Sequence, residues 1–132
     1  MFHTRNGFTL VEALIVLAMI GILVVILIPQ YKNSVIRAKE AVLKENLFQI
    51  RDAINKYYFD KKKYPAGIED LVSSRYLRDI PENPFTRKRE WEPVFNEPLP
   101  GEEYDPEMSE GIVDVRSRHH GRALDGSDYR EW

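Results

Sequence analysis

The chain changes polarity pattern twice along its length. Residues 8–28 are apolar at every position except Thr9, Glu12 and Gly21. At 1.5 Å per residue this run makes roughly 30 Å of helix, about the thickness of a bilayer's hydrocarbon core. Beyond Pro29 the apolar residues thin to a stripe of Ile36, Leu43, Leu47, Ile50, Ile54 and Tyr57, spaced 7, 4, 3, 4 and 3. That is the repeat of one helix face. Pro29 lacks a backbone donor and crowds the preceding turn, so it should end or kink the helix locally. Periodicity resumes at once, and neither Gly nor Pro occurs between Gln30 and Tyr64. The pattern therefore predicts one helix from Phe8 to about Asp60, roughly 80 Å long.

The stripe needs a partner. A coiled coil is the simplest one, but the stripe lasts only about three heptads and its flanking charges are not complementary throughout. Packing on the chain's own C-terminal part, residues 64–132, is the better account. Tyr64-Pro65 closes the helical region, and 67–76 reads as a short helix with Ile68, Leu71 and Val72 inward. Six of the eight prolines lie between Pro81 and Pro106, which forbids long regular elements there. Residues 91–95 and 112–115 are the strand candidates, with Pro93 confining the first to an edge or bulge. Short links between them predict a small antiparallel sheet, and the fold class is α+β. At 69 residues this part is near the limit for an independent core, so it should bury itself against the stem helix.

Composition sharpens the reading of the first segment. The chain has 132 residues and a mass of 15.5 kDa, room for one domain and an appendage. Residues 8–28 hold 18 hydrophobic side chains, whereas the other 111 positions hold 39, too few to surround so apolar a helix in a soluble core. A secretory signal has an apolar region of about 7–15 residues and a small-residue cleavage site; Ile28-Pro29-Gln30-Tyr31 offers none. A membrane-spanning helix remains. A carboxylate inside such a helix costs on the order of 2.5–3.5 kcal/mol, so Glu12 is a functional candidate. Composition leaves two roles open for it, reaching the headgroups at the positive end of the helix dipole or awaiting a cationic partner.

Charge is unevenly spread. Residues 30–63 carry nine basic and four acidic side chains, residues 64–132 nine basic and sixteen acidic. The basic part adjoins the membrane segment and lacks a basic–aromatic platform, which argues against nucleic-acid binding. Cysteine is absent, excluding disulfides and thiolate zinc sites.

Asn6-Gly7-Phe8-Thr9-Leu10-Val11-Glu12 ahead of an apolar run resembles the class III signal of type IV pilins and type II secretion pseudopilins. The resemblance implies a pilin-like fold, a long N-terminal helix, its first half transmembrane, packed against a small C-terminal sheet. It also implies that residues 1–7 are a leader, cut after Gly7 by a prepilin peptidase, and that Phe8 is then N-methylated. Glu12 would pair with the α-amine of a neighbouring subunit during assembly, and the stretch from Gly21 to Pro29 can unwind in such filaments. The organisation expected is leader 1–7, filament-core helix 8–28, amphipathic stem 29–63 and globular domain 64–132. Arg5 before the helix, against Lys32, Arg37, Lys39 and Lys44 after it, would by the positive-inside rule place the C-terminal side in the cytoplasm. The signal requires the opposite, an inner-membrane protein with a cytoplasmic N-terminus and a periplasmic domain, and the motif takes precedence.

Further along, Asn46, Ile50-Arg51-Asp52-Ala53-Ile54, Tyr57, Lys63-Tyr64-Pro65, Tyr76-Leu77-Arg78-Asp79-Ile80-Pro81-Glu82-Asn83-Pro84-Phe85, Gly111-Ile112-Val113-Asp114-Val115-Arg116-Ser117 and Asp125-Gly126-Ser127-Asp128-Tyr129 follow the order seen in major pseudopilins. Type IV pilins usually close this region with a disulfide loop, so the lack of cysteine tilts toward pseudopilins. The family often binds calcium in its C-terminal loop, where Asp125 and Asp128 are the nearest matches. The usual Gly-Ala-Asp-Gly is replaced here by Arg118-His119-His120-Gly121, which removes a normal ligand.

Other candidate chemistry is sparse. His119 and His120 would point to opposite faces of a strand, and a third imidazole is offered only by His3 across the membrane. Glu97, Glu102, Glu103, Asp105, Glu107 and Glu110 read as a solvated loop without EF-hand spacing. No nucleophile elbow or phosphate-binding glycine loop occurs, so an enzyme is not expected. The reading that results is a homo-oligomeric filament subunit, foremost the major pseudopilin of a type II secretion system, assembling a periplasmic pseudopilus that drives protein export. Its implied partners are the peptidase, an assembly ATPase, a platform protein and minor pseudopilins. The alternatives are a type IV pilin forming surface fibres, or a membrane-anchored binding module.

Overall fold

The computed structural model describes residues 7–103, 105–106 and 110–132. Helix α1 covers Leu10–Lys61, 52 residues, and continues through Pro29. Proline there removes the N–H that would meet the Val25 carbonyl, a loss the helix tolerates without ending. Its C-terminus is set by Lys62, whose φ of 56° lies in the left-handed region and ends helical hydrogen bonding after Lys62 N donates to the Tyr58 carbonyl at 2.8 Å.

The chain divides into two contact units, Met1–Ile36 and Arg37–Trp132. In the first, every described residue up to Ser34 is exposed, the whole apolar run included. The second holds the core. Leu43, Leu47, Ile50, Ile54 and Tyr57 are buried as their spacing predicts, whereas Ile36 is only half-buried and Ala53 joins the stripe. Alanine is too small to register as an apolar anchor, and its smallness is what fits it between Ile50 and Ile54.

Against this stripe pack Ile68 and Leu71 of α2 (Ile68–Ser73), Leu77, Trp91, Ile112 and Val115. Helix α2 is shorter than the predicted 67–76 because Arg75 turns left-handed at φ 63°, and Tyr76 and Leu77 donate back to the Leu71 carbonyl. Strands β1 (Trp91–Phe95) and β2 (Ile112–Ser117) form a two-stranded antiparallel sheet, with Trp91 opposite Ser117 and an irregularity between Val94 and Phe95. Pro93 is accommodated because each strand of a two-stranded ribbon has an open edge. The second strand runs two residues past its predicted end. Its last residue, Ser117, is buried and its hydroxyl accepts from buried Asn83 Nδ2 at 2.9 Å, while Asn83 Oδ1 accepts from Phe85 N. This pairing satisfies two polar groups that would otherwise be costly inside.

Polar contacts also bind the domain to the stem, those of Arg51 and Glu40 among them. Arg51 donates to Asp114 Oδ1 at 2.6 Å, to the Val115 carbonyl at 3.1 Å and to the Trp132 carbonyl at 2.5 Å. Glu40 Oε1 accepts from Leu124 N and from Tyr129 Oη, both at 2.8 Å. The helix thus supplies both the apolar floor of the domain and the polar ties at its rim.

Candidate functional site

The N-terminal motif is built around one turn of helix. Gly7, Phe8 and Thr9 precede α1 and are exposed. Thr9 is the cap, its Oγ1 accepting from Glu12 N at 3.2 Å and its carbonyl from Ala13 N at 3.1 Å. Thr9-Leu10-Val11-Glu12 is therefore a capping-box sequence, Thr at the cap and Glu three residues on. Thr-x-x-Glu ahead of an apolar run is a start signal legible in the sequence, and Thr9 rather than Glu12 carries its cap. Glu12 lies in the first turn of α1, at the positive end of the helix dipole, exposed rather than folded against this chain. The bond between Gly7 and Phe8 is equally open, and a Cβ at Gly7 would meet nothing within 4 Å. His3 and Arg5 lie outside the described residues.

The structure does not bring the other candidates together. Asp125 Oδ1 accepts from Ser127 N and Ser127 Oγ, bonds that hold its carboxyl below the usual carboxylate range. Asp128 caps the 3-10 turn Tyr129–Glu131 by accepting from Arg130 N, and its carboxylate pairs with the Arg130 guanidinium. These bonds lower its pKa as well. A guanidinium on one carboxylate and a closed turn on the other do not fit a calcium ion, and no trio of His, Asp or Glu side chains gathers among the described residues. No role for calcium is derived.

His119 stacks on Phe85 with centroids 4.6 Å apart and planes 5° from parallel, and lies 5.2 Å from the Tyr129 ring. Burial lowers its pKa, helped by the nearby charges of His120 and Lys39. It is a neutral packing residue. Tyr129 is pushed up to about 12 by burial and by donating to Glu40. Of the acidic stretch, Glu97, Glu102, Glu103, Asp105 and Glu110 are exposed, and Glu107 lies outside the described residues.

What remains is a capped helix start, an exposed Gly7–Phe8 bond and an exposed apolar helix long and apolar enough to cross a membrane. The family model described as the prokaryotic N-terminal methylation motif matches residues 3–28, this same segment. Relatives carry the likeness further. The chain is 35% identical over 83 residues to fimbrial protein EcpC of Eikenella corrodens, covering 59% of this chain and 54% of that one. It is 33% identical over 82 residues to type II secretion system core protein G of Pseudomonas aeruginosa, covering 60% and 58%. To the type IV major fimbrial protein FimA of Dichelobacter nodosus it is 44% identical over 59 residues, covering 45% and 37%. The motif and these relatives together support a pilin-like, pseudopilin-containing family for the chain.

The chain spans about half the length of these curated relatives. No solved structure matches it significantly. The matches to EcpC and core protein G are longer than α1 and its preceding residues together, so they reach into the pilin-like domain beyond Lys61.

Proposed function

We propose that this protein is the subunit of a pilin-like filament, and within that class the major pseudopilin of a type II secretion system. The observation that carries the filament reading is the methylation motif at the head of a wholly exposed apolar helix. Cleavage after Gly7 would free an amine on Phe8 beside the capped first turn. The apolar run would first hold the subunit in the inner membrane with the domain on the periplasmic side. It would then pack against the same run of neighbouring subunits, so little hydrophobic burial is lost on leaving lipid. Glu12, tolerated in such surroundings only when paired, would take the Phe8 amine of the next subunit and so set the register. A prepilin peptidase, an assembly ATPase, a platform protein and minor pseudopilins are the partners this cycle requires, and the chain's own role is structural.

The choice of pseudopilin is supported by the absence of cysteine and by the match to core protein G. The fibre-forming reading is favoured by the higher identity to FimA over a shorter stretch. Intact mass of the protein from its own membranes tests the class. The expected result is loss of residues 1–7 with one added methyl group; an intact leader in cells with active peptidase overturns it. A deletion strain then separates the branches. Lost secretion marks the pseudopilin, whereas normal secretion with missing surface fibres marks the pilin.

A further inference from the structure

Two exposed features of the Arg37–Trp132 unit complement each other. The first is a cleft of about 360 Å³ lined by Lys44, Leu47, Phe48, Arg51 and Trp132. Lys44, Phe48 and Arg51 follow one another at helical spacing beside the buried stripe, and Phe48 is 64% exposed. The cleft has a fixed shape. Lys44 Nζ lies 4.2 Å from the Trp132 ring centre, and Arg51 is held by Asp114 and two carbonyls. Its wall is aromatic and its rim cationic.

The second feature is the segment Glu97-Pro98-Leu99-Pro100-Gly101-Glu102-Glu103. Leu99 is 67% exposed between two prolines. Glu97, Glu102 and Glu103 are exposed and enter no ion pair among the described residues. A single exposed apolar residue needs no explanation. Here a protruding leucine framed by acids and a hollow framed by bases occur on one chain.

We propose that the cleft of one copy receives the Leu99 segment of a second copy, with Leu99 against Phe48 and Trp132 and the glutamates facing Lys44 and Arg51. The segment is turned, the Leu99 carbonyl accepting from Glu102 N at 3.1 Å with Gly101 at φ 105°, and a preformed turn that presents Leu99 spares much of the entropy cost of ordering. Opposite charge at the rim fixes register and partner. Donor segment and acceptor cleft are different surfaces, so the contact is heterologous and propagates without closing. The proposal rests on the filament reading and names one of its subunit contacts.

The chain has no cysteine, so engineered thiols report unambiguously, and both positions are exposed enough to spare the core. Full-length chains carrying F48C and differently tagged chains carrying L99C are co-expressed in the native cells, and their membranes are mildly oxidised. The expected product is a disulfide dimer bearing both tags, absent when either variant is expressed alone. K44E in the cleft chain should reduce that dimer, and E102K in the segment chain should restore it, a rescue that misfolding would not give. Sedimentation of sheared filaments from the same cells separates the two ideas. Filaments without the mixed dimer overturn this contact and leave the filament reading standing. Mixed dimer without filaments supports the contact and overturns that reading; absence of both overturns both. A disulfide formed only within single chains carrying both cysteines also overturns the proposal, since the segment would then cover its own cleft.

Discussion

At the residue scale, Gly111 is the glycine with least room for a side chain. A Cβ there would lie 2.1 Å from Tyr64 Cβ and 2.9 Å from Tyr64 backbone atoms. Tyr64 is not free to retreat: its ring stacks on Tyr58 at 4.5 Å, and the next residue's carbonyl accepts from Ile112 N at 2.8 Å. Gly111→Ala is therefore expected to cost at least about 2 kcal/mol through forced backbone movement, read as a lower thermal midpoint of the detergent-solubilised chain. His119 makes a different prediction. Its pKa in the folded chain lies below the ordinary value of 6.5, so the unfolded chain takes up the proton first. The stabilising contribution is complete above that value and is lost as pH falls through the folded one. His119→Phe keeps the stack on Phe85 and should flatten the decline in thermal midpoint below about pH 6.5. An unchanged decline would assign it to carboxylates instead. Glu40→Ala leaves Leu124 N and Tyr129 Oη without their acceptor and should cost about 2 kcal/mol.

At the scale of elements, apolar spacing foretold α1, its buried stripe and β1, because each of those is specified by the period of large side chains. What escaped was specified by contacts remote in sequence. Ser117 extends β2 only because Asn83 reaches it, and a serine carries no strand signal. Arg51 reads from sequence as one more charge on a solvated face, yet its three acceptors lie 63, 64 and 81 residues away. The cleft beside it was invisible for the same reason, since Trp132 meets Phe48 only after the domain has folded. The motif's place at the head of α1 is legible in sequence, whereas the bonds that Ser127 and Arg130 make to Asp125 and Asp128 are not announced by spacing. The cap of α1 is legible in Thr9-Leu10-Val11-Glu12. Thr9→Ala should weaken the first turn by about 1 kcal/mol, seen as faster hydrogen exchange at the Glu12 amide with exchange near Ile50 unchanged.

For the molecule as a whole, the decisive variant is Glu12→Ala. On the filament reading it should insert in the membrane normally, lose its leader and fail to assemble, as judged by fractionation, intact mass and sheared-filament yield. Normal assembly would sink the proposed pairing with the Phe8 amine. With all of residues 8–28 turned outward, the subunit has no state in which it can wait in water. On the filament reading, every transfer between bilayer and fibre would have to be a direct hand-over, at a point where lipid and filament touch. Growth would then draw on the membrane's stock of subunits and proceed only from its base, and a filament severed from that base could neither lengthen nor return its subunits.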